Sequence, residues 1–220
     1  MTTTFPGSPR TVQGGIVLID PDSGAVRRVI VLQYNPDTLT RSLQVQGAGG
    51  EAGDRLDALR LKGPPAETIK LDAEIDAVDQ LEFPDRNFIA TQLGILPQLA
   101  ALETIVYPAS ATVQANRDLA DAGTLEIAPA EAPLAVFVWS RNRVLPVRLT
   151  EFSITEEAFD TGLNPIRAKV SLGLRVLNTN DLGFDHKGSM LFMAYHQQQE
   201  RFAGQGSGTG LGPLGIGRIL

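Results

Sequence analysis

Two histidines, His186 and His196, limit the acid–base chemistry of this chain, which has no other imidazole and no cysteine. A Ser-His-Asp triad needs one imidazole beside a serine that is held on a sharp turn. The nucleophile motif G-x-S-x-G does not occur, and His186 lies in a predicted loop whereas His196 lies on a predicted helix. We therefore expect surface histidines and no enzyme; a hydrolase that uses one of them stays open as an alternative.

Three carboxylates alternate along one predicted strand, at Asp72, Glu74 and Asp76. Oxygen ligands at this spacing suit a hard cation such as Ca²⁺ or Mg²⁺. Calcium loops curve around their ion, however, whereas a flat strand sets successive side chains of one face about 7 Å apart. We therefore expect a solvated or inter-subunit face and no metal site.

Three basic residues lie on the polar face of a later predicted strand, at Arg167, Lys169 and Arg175. One outer strand face is thus acidic and the other is basic. If the two faces meet between neighbouring copies in a ring, opposite charges fix the register and the orientation of the copies. These six charged residues form the predicted inter-subunit interface.

Neither a cofactor site nor a nucleic-acid site is expected. Residues 210–215 match G-x-G-x-x-G, but no strand is predicted before them and no helix can follow so near the C-terminus, so the dinucleotide-binding context is missing. Trp139 lies in an apolar strand and is expected to pack in the core or in an interface. The aromatic residues are too few and scattered to stack nucleic-acid bases.

Composition indicates a chain that folds in the cytoplasm. With 43% hydrophobic residues it can bury a core, and its net charge of −6 gives no basic field that would attract nucleic acid or an anionic membrane. The N-terminal segment MTTTFPGSPR lacks the apolar region of a signal peptide, and no window is apolar enough to span a membrane. We expect synthesis and assembly in the cytoplasm, with later release outside the cell left open.

The residues that must position these side chains form strands, and the clearest three lie within residues 133–177. Period-2 alternation persists over residues 166–177, which only a strand produces. The other two strands are predicted at 134–140 and 144–155, with a turn at 141–143 and a connection at 156–164. The second strand changes phase near Thr150 and Glu151, which predicts a β-bulge there.

The N-terminal half is predicted to form further strands. The turn sequence 21–24, PDSG, joins strands at 15–20 and 25–34. A third strand at 38–46 would continue an antiparallel meander. Another strand covers 66–76, and residues 47–63 are expected to form a long mobile loop that a neighbouring subunit orders.

Helices are predicted at 97–106 and 188–203. Proline is unfavourable inside a helix, so Pro97 is placed at the first helical position, with a short segment before it. Residues 110–132 are expected to form a second long loop with a short helical piece at 113–120. Residues 178–187 form a polar turn region, and residues 204–220 are rich in glycine.

Residues 143–177, RVLPVRLTEFSITEEAFDTGLNPIRAKVSLGLRVL, resemble the tube-like proteins of contractile injection systems, which are relatives of contractile phage tails. The segment LQYNPDTL at 32–39, the strand at 68–76 and the leucine-rich helix ending at YP, 107–108, are similar to the same family in the same order. The resemblance covers roughly residues 14–200. Its motifs are structural and not catalytic.

The resemblance implies a mainly β fold, an antiparallel split β-barrel of the phage-tail-tube type with one packing helix and a C-terminal helix. Residues 1–13 would be a flexible arm, 14–187 the tube-like barrel domain, 188–203 the C-terminal helix and 204–220 a glycine-rich tail. It implies a hexameric ring at the baseplate hub that connects the inner tube to the spike, with inner tube, spike and neighbouring baseplate proteins as partners. Several baseplate members carry a C-terminal LysM-like domain, for which this chain has no room.

A second reading of the sequence is a monomeric barrel that binds a small ligand in a cavity at its mouth. Monomeric behaviour and a saturable ligand would favour it.

Overall fold

The computed structural model describes residues 12–47, 60–123, 132–206, 210–216 and 218. Seven strands form one antiparallel sheet: β1 Gly15–Ile19, β2 Val26–Val31, β3 Leu39–Gln44, β4 Ala66–Asp76, β5 Leu134–Ser140, β6 Arg143–Phe159 and β7 Pro165–Val176. Their spatial order is β2-β1-β5-β6-β7-β4-β3. Among the described residues β2 and β3 pair with one strand each, so the sheet does not close through strand pairing.

The described residues also form five α-helices: α1 Val78–Leu81, α2 Phe88–Leu93, α3 Leu96–Glu103, α4 Ser110–Asp121 and α5 Lys187–Gly206. Short 3₁₀ turns lie at Pro84–Arg86 and Gly212–Leu214. The predicted class, mainly β with flanking helices, is confirmed. No helix within the described ranges combines the length and apolar character needed to cross a bilayer.

The three strands predicted within residues 133–177 are confirmed as β5, β6 and β7, which pair in sequence order. The register between β6 and β7 shifts between Leu149 and Glu151, where the β-bulge was predicted. β6 runs on to Phe159, beyond its predicted end. The apolar alternation stops there at two consecutive charged residues, Glu156 and Glu157, which still pair with β7.

The predicted N-terminal meander is wrong in its third strand. β1 and β2 form the expected hairpin, but β3 pairs with β4 and lies at the other end of the sheet from β2. The connection between β2 and β3 crosses from one edge to the other. The Gln33 side chain spans the gap, since its Nε2 donates to the Asp76 carbonyl at 2.7 Å and its Oε1 accepts from the Asp76 N–H at 3.0 Å. The sheet therefore curls until its two ends face each other.

The core lies on the inner face of this curled sheet. Alternate residues of β4, β6 and β7 are buried there, among them Ile69, Leu145 and Leu174. α3 adds Leu99 and Leu102 to the same cluster, and α5 adds its own aromatic side chains. The removal of apolar surface from water is the main favourable term in folding, at about 25 cal/mol for each Å² buried.

The helices follow the predictions in part. Pro97 occupies the first turn of α3, which ends at Glu103 and not at Val106. α4 is longer than the predicted helical piece at 113–120, and residues 124–131 of the predicted second loop lie outside the described residues. α5 extends the predicted helix by a few residues. Most of the predicted arm at 1–13, most of the predicted loop at 47–63 and parts of the tail at 204–220 also lie outside them.

The β1–β2 hairpin depends on an ionised Asp20. Its Oδ1 accepts hydrogen bonds from the backbone N–H and the hydroxyl of Ser23 at 2.8 and 2.9 Å, and its Oδ2 pairs with Arg27. The Ser23 backbone N–H and Arg27 hold the Asp20 pKa far below its ordinary value of 3.8. A carboxylate with a depressed pKa adds stability above its unfolded-state pKa and loses that contribution as pH falls through the folded-state value.

The stability difference between the protein and its Asp20→Asn variant should therefore depend on pH. We expect a constant difference in melting temperature from pH 7 down to about 4. Below pH 4 the difference should shrink, because Asp20 then takes up a proton more readily in the unfolded chain. Calorimetry of both proteins from pH 7 to pH 2 measures this, and a difference that stays constant over the whole range would contradict the assignment.

Candidate subunit interface

The six predicted interface residues lie on one face of β4 and β7, which are adjacent strands of the same chain. The register places Glu74 opposite Lys169 and Asp76 opposite Arg167. Arg167 Nε lies 2.7 Å from Asp76 Oδ2 and 3.7 Å from Glu74 Oε1. The hydrogen bond to Asp76 raises the pKa of Arg167. Acidic and basic residues thus meet within one chain, which corrects the expectation of two separate faces of opposite charge.

The other members of the set also have partners in the chain. Lys169 Nζ lies 3.3 Å from Glu157, Arg175 Nη2 lies 2.5 Å from Asp181, and the Ser171 hydroxyl donates to Asp72 at 2.5 Å. Sequence reasoning missed these pairs because it gives no order of strands in the sheet. These pairs leave less unpaired charge on this face than expected.

This polar face carries a shallow groove of about 550 Å³. Hydroxyl groups of Thr40, Ser153 and Ser171 line it together with the exposed ion pair of Lys70 and Glu151. The structure groups no three His, Cys, Asp or Glu side chains around a common metal position in the ranges that it describes.

The two histidines occupy separate places. His186 Nδ1 accepts a hydrogen bond from the Gly188 N–H at 3.0 Å, at the start of α5. His196 lies on α5, stacks on Phe192 with ring centroids 6.2 Å apart and lies 3.5 Å from Glu200. Each imidazole makes local contacts along α5.

Trp139 packs against the core and stacks on Phe137, with ring centroids 6.0 Å apart. This confirms the packing predicted for it. At the G-x-G-x-x-G match, Gly212–Leu214 form a single 3₁₀ turn, and the preceding described element is helix α5 and not a strand.

β3 is an edge strand with unpartnered apolar side chains. Leu43 on β3 is exposed, and so is Val45 just after it. Leu61, which forms an isolated bridge with Gly47, is exposed as well. An exposed apolar edge pairs readily with another chain, and natural proteins cover or charge such edges. β3 is therefore the strongest candidate for a contact between subunits.

One polar network fixes β3 to the core, and the sequence analysis missed it. Glu67 on β4 is only 5% exposed, and its Oε1 accepts from Arg41 Nε at 2.6 Å. The Arg41 Nη2 group donates to the Tyr195 hydroxyl at 2.9 Å. Burial and the nearby Glu67 raise the pKa of Tyr195. Arg41 shares its strand face with Leu39 and Leu43, so an inward arginine was the signal that could have revealed the network.

A second apolar surface lies on the helices after β4 and on the β6–β7 turn. Exposed aromatic and aliphatic side chains occur on α2 and at the turn, namely Phe88, Ile89, Leu93, Phe159 and Leu163. The two segments are neighbours, because the Ile95 N–H donates to the Pro165 carbonyl at 2.9 Å. Exposed apolar patches of this kind commonly mark interaction sites.

An apolar cleft of about 280 Å³ marks the gap between β2 and β4. α3 forms its third wall with Pro97, Ala101 and Leu102. Gln98 also lines the cleft, and its buried Oε1 has no hydrogen-bond partner among the described residues. Among the described residues, β3 pairs only with residues 66–71 of β4. Residues 72–75 of β4 therefore have no neighbouring strand on the side that faces the cleft.

Comparison with known proteins gives no further guide to the site. No protein-family model matches the chain, and no curated protein matches it.

Proposed function

We propose that this protein is a structural subunit of a contractile injection system, forming a ring at the baseplate hub that connects the inner tube to the spike. The observation that carries the proposal is the edge of β3, which among the described residues pairs only with β4 and which carries the exposed Leu43, followed by the exposed Val45. The resemblance of residues 143–177 to tube-like proteins supports the same reading.

The arrangement of the edges supports a ring. β2 and β3 are the two ends of the described sheet, so pairing of the β3 edge of one copy with the β2 edge of the next would join unlike surfaces. Such heterologous contacts build a closed ring when the rotation closes. The network that anchors Arg41 holds β3 in place before a neighbour arrives, which lowers the entropic cost of association.

In finer detail, the proposal treats the curled sheet as the split barrel of the tube type, with α3 as its packing helix. The ring would be a hexamer that assembles in the cytoplasm and contacts the inner tube protein on one side, the spike on the other and neighbouring baseplate proteins. Its role would be structural and not catalytic.

One observation favours the second candidate, a monomeric barrel that binds a small ligand. The polar groove on β4, β6 and β7 has the volume of a small-molecule site. Its hydroxyl and carboxylate groups would suit a polar ligand. A monomer with a saturable ligand in this groove would support that reading.

Charging the β3 edge should abolish assembly and leave the fold intact. We expect the double variant Leu43→Lys, Val45→Lys to elute as a monomer, because two ammonium groups on an edge strand oppose pairing with another chain. Exposed substitutions of this kind change the free energy of unfolding by about 0.5 kcal/mol or less. Light scattering after size exclusion measures the mass.

Leu214→Lys provides the control, since Leu214 is also exposed but lies in the 3₁₀ turn after α5. It should assemble as the unchanged protein does. If the β3 variant kept the full assembled mass, the edge would not be the contact.

A further inference from the structure

The turn between β6 and β7 holds a leucine in a conformation that leucine rarely adopts. Leu163 has φ of 62° and is 78% exposed. Asp160 fixes the turn, since its Oδ1 accepts from the N–H groups of Gly162 and Asn164 at 2.7 and 2.8 Å, and its Oδ2 accepts from the Asn164 side chain at 2.8 Å. These hydrogen bonds keep the Asp160 pKa below its ordinary value. The turn thus presents Leu163 rigidly to the outside.

This conformation has a cost, which the hydrogen bonds of the turn offset within the monomer. A left-handed backbone costs about 1–2 kcal/mol for a residue with a Cβ, and glycine or asparagine normally takes such a position. Gly162 and Asn164 flank Leu163, yet neither has a left-handed backbone. The turn therefore accounts for the backbone of Leu163 but not for its exposed apolar side chain, which is available for a contact outside the monomer.

A carboxylate lies on the strand that leads to this turn, three residues before Phe159, which pairs with Pro165. Glu156, near the end of β6, is exposed and has no cationic partner in the described part of the chain. Phe159 on the same strand is exposed as well. The β6–β7 hairpin therefore carries an apolar anchor, Leu163, at its tip and an unpaired carboxylate, Glu156, on the strand before it.

The cleft between β2 and β4 has the complementary features. Its apolar lining includes Val29, Val31 and Leu102, and its volume of about 280 Å³ accommodates a leucine side chain. Arg28 lies at its rim, where it contacts the Ala101 carbonyl and the Thr104 hydroxyl, both neutral groups. Arg28 has no carboxylate partner among the described residues.

We infer that Leu163 of one copy inserts into the β2–β4 cleft of a second copy, with Glu156 of the first paired to Arg28 of the second. On its own chain Leu163 stays outside the cleft, as its exposure shows. The tip and the cleft are different surfaces, so the contact is heterologous and adds to the β3 edge in a ring. The inference rests on the proposed function and names a second pair of surfaces that join its subunits.

Leu163→Asn separates a role in assembly from a role in folding. It should weaken assembly, whereas the stability of the fold should stay the same or rise. Asparagine tolerates the left-handed backbone, so the variant should melt at the same or a higher temperature than the unchanged protein. Its apparent dissociation constant for assembly should nevertheless rise about 10- to 100-fold, because a buried leucine anchor is lost. Dilution with light scattering gives the constant.

A charge exchange tests whether the occupant is a second copy. Glu156→Arg and Arg28→Glu should each weaken assembly, and the double variant should restore it, because the pair is then reversed. If Leu163→Asn assembles normally, or if the double variant is no better than either single variant, the inference is overturned while the proposed ring stands. If the unchanged full-length protein is a monomer at every concentration, both fall.

Discussion

Replacing Arg41 with alanine is expected to lower the free energy of unfolding by about 3–5 kcal/mol, since it leaves the carboxylate of Glu67 buried without its cation. Glu67 is nearly inaccessible, and its 2.6 Å contact with Arg41 is the ion pair that compensates for its burial. The loss also removes the 2.9 Å hydrogen bond to Tyr195 on α5. Urea denaturation followed by circular dichroism measures the effect.

Two controls separate the charge from the hydrogen bond. Tyr195→Phe keeps the ion pair and should cost only about 1 kcal/mol. The double variant Arg41→Met, Glu67→Leu removes both charges and should recover most of the lost stability, because an apolar pair of similar size has no charge to desolvate. A loss below about 1 kcal/mol for Arg41→Ala would show that water reaches Glu67 and that the network does not hold β3.

Gly94→Ala is expected to destabilise the protein by more than 3 kcal/mol, by about the cost of a left-handed backbone plus a steric overlap. Gly94 ends α2 with φ of 56° and ψ of −130°. A Cβ at this position would overlap the carbonyl oxygen of Pro165 at the start of β7. That oxygen also accepts the hydrogen bond from Ile95, so it cannot move without disturbing α3. Thermal unfolding gives the loss directly.

Gly123→Ala is the matched control. Gly123 has φ of 84°, but a Cβ there would have no atom of the described residues within 4 Å. It should therefore show the backbone cost alone, about 1–2 kcal/mol. If both variants lost the same stability, the packing of α2 against the β6–β7 turn would contribute nothing, and the position of the apolar tip beside α2 would need another explanation.

The alternation of side chains accounts for what could be predicted of the fold. β7 keeps its period over its whole length, because one face is buried and the other is polar, and the phase change in β6 located the bulge. The end of β6 was missed because two consecutive glutamates, Glu156 and Glu157, interrupt the apolar alternation. α4 was underestimated because the alanine, aspartate and proline of residues 110–132 favoured a loop in the prediction.

Strand order could not be predicted from local patterns. Nothing in the sequence of β3 indicates that it pairs with β4 at the far end of the sheet from β2. The missing strand order also affected the predicted interface. Asp76 and Arg167 are 91 positions apart and become neighbours only through the β4–β7 register. The surfaces that now carry the proposals, the β3 edge and the cleft, depend on this long-range order.

The mass of the full chain in solution tests the ring most directly. Light scattering after size exclusion, repeated over a range of protein concentrations, should give a closed species of about six times 23.6 kDa that persists on dilution. Addition of the inner tube protein should shift it to a larger complex. A mass of 23.6 kDa at every concentration, unchanged by the tube protein, would contradict the ring and favour the ligand-binding barrel.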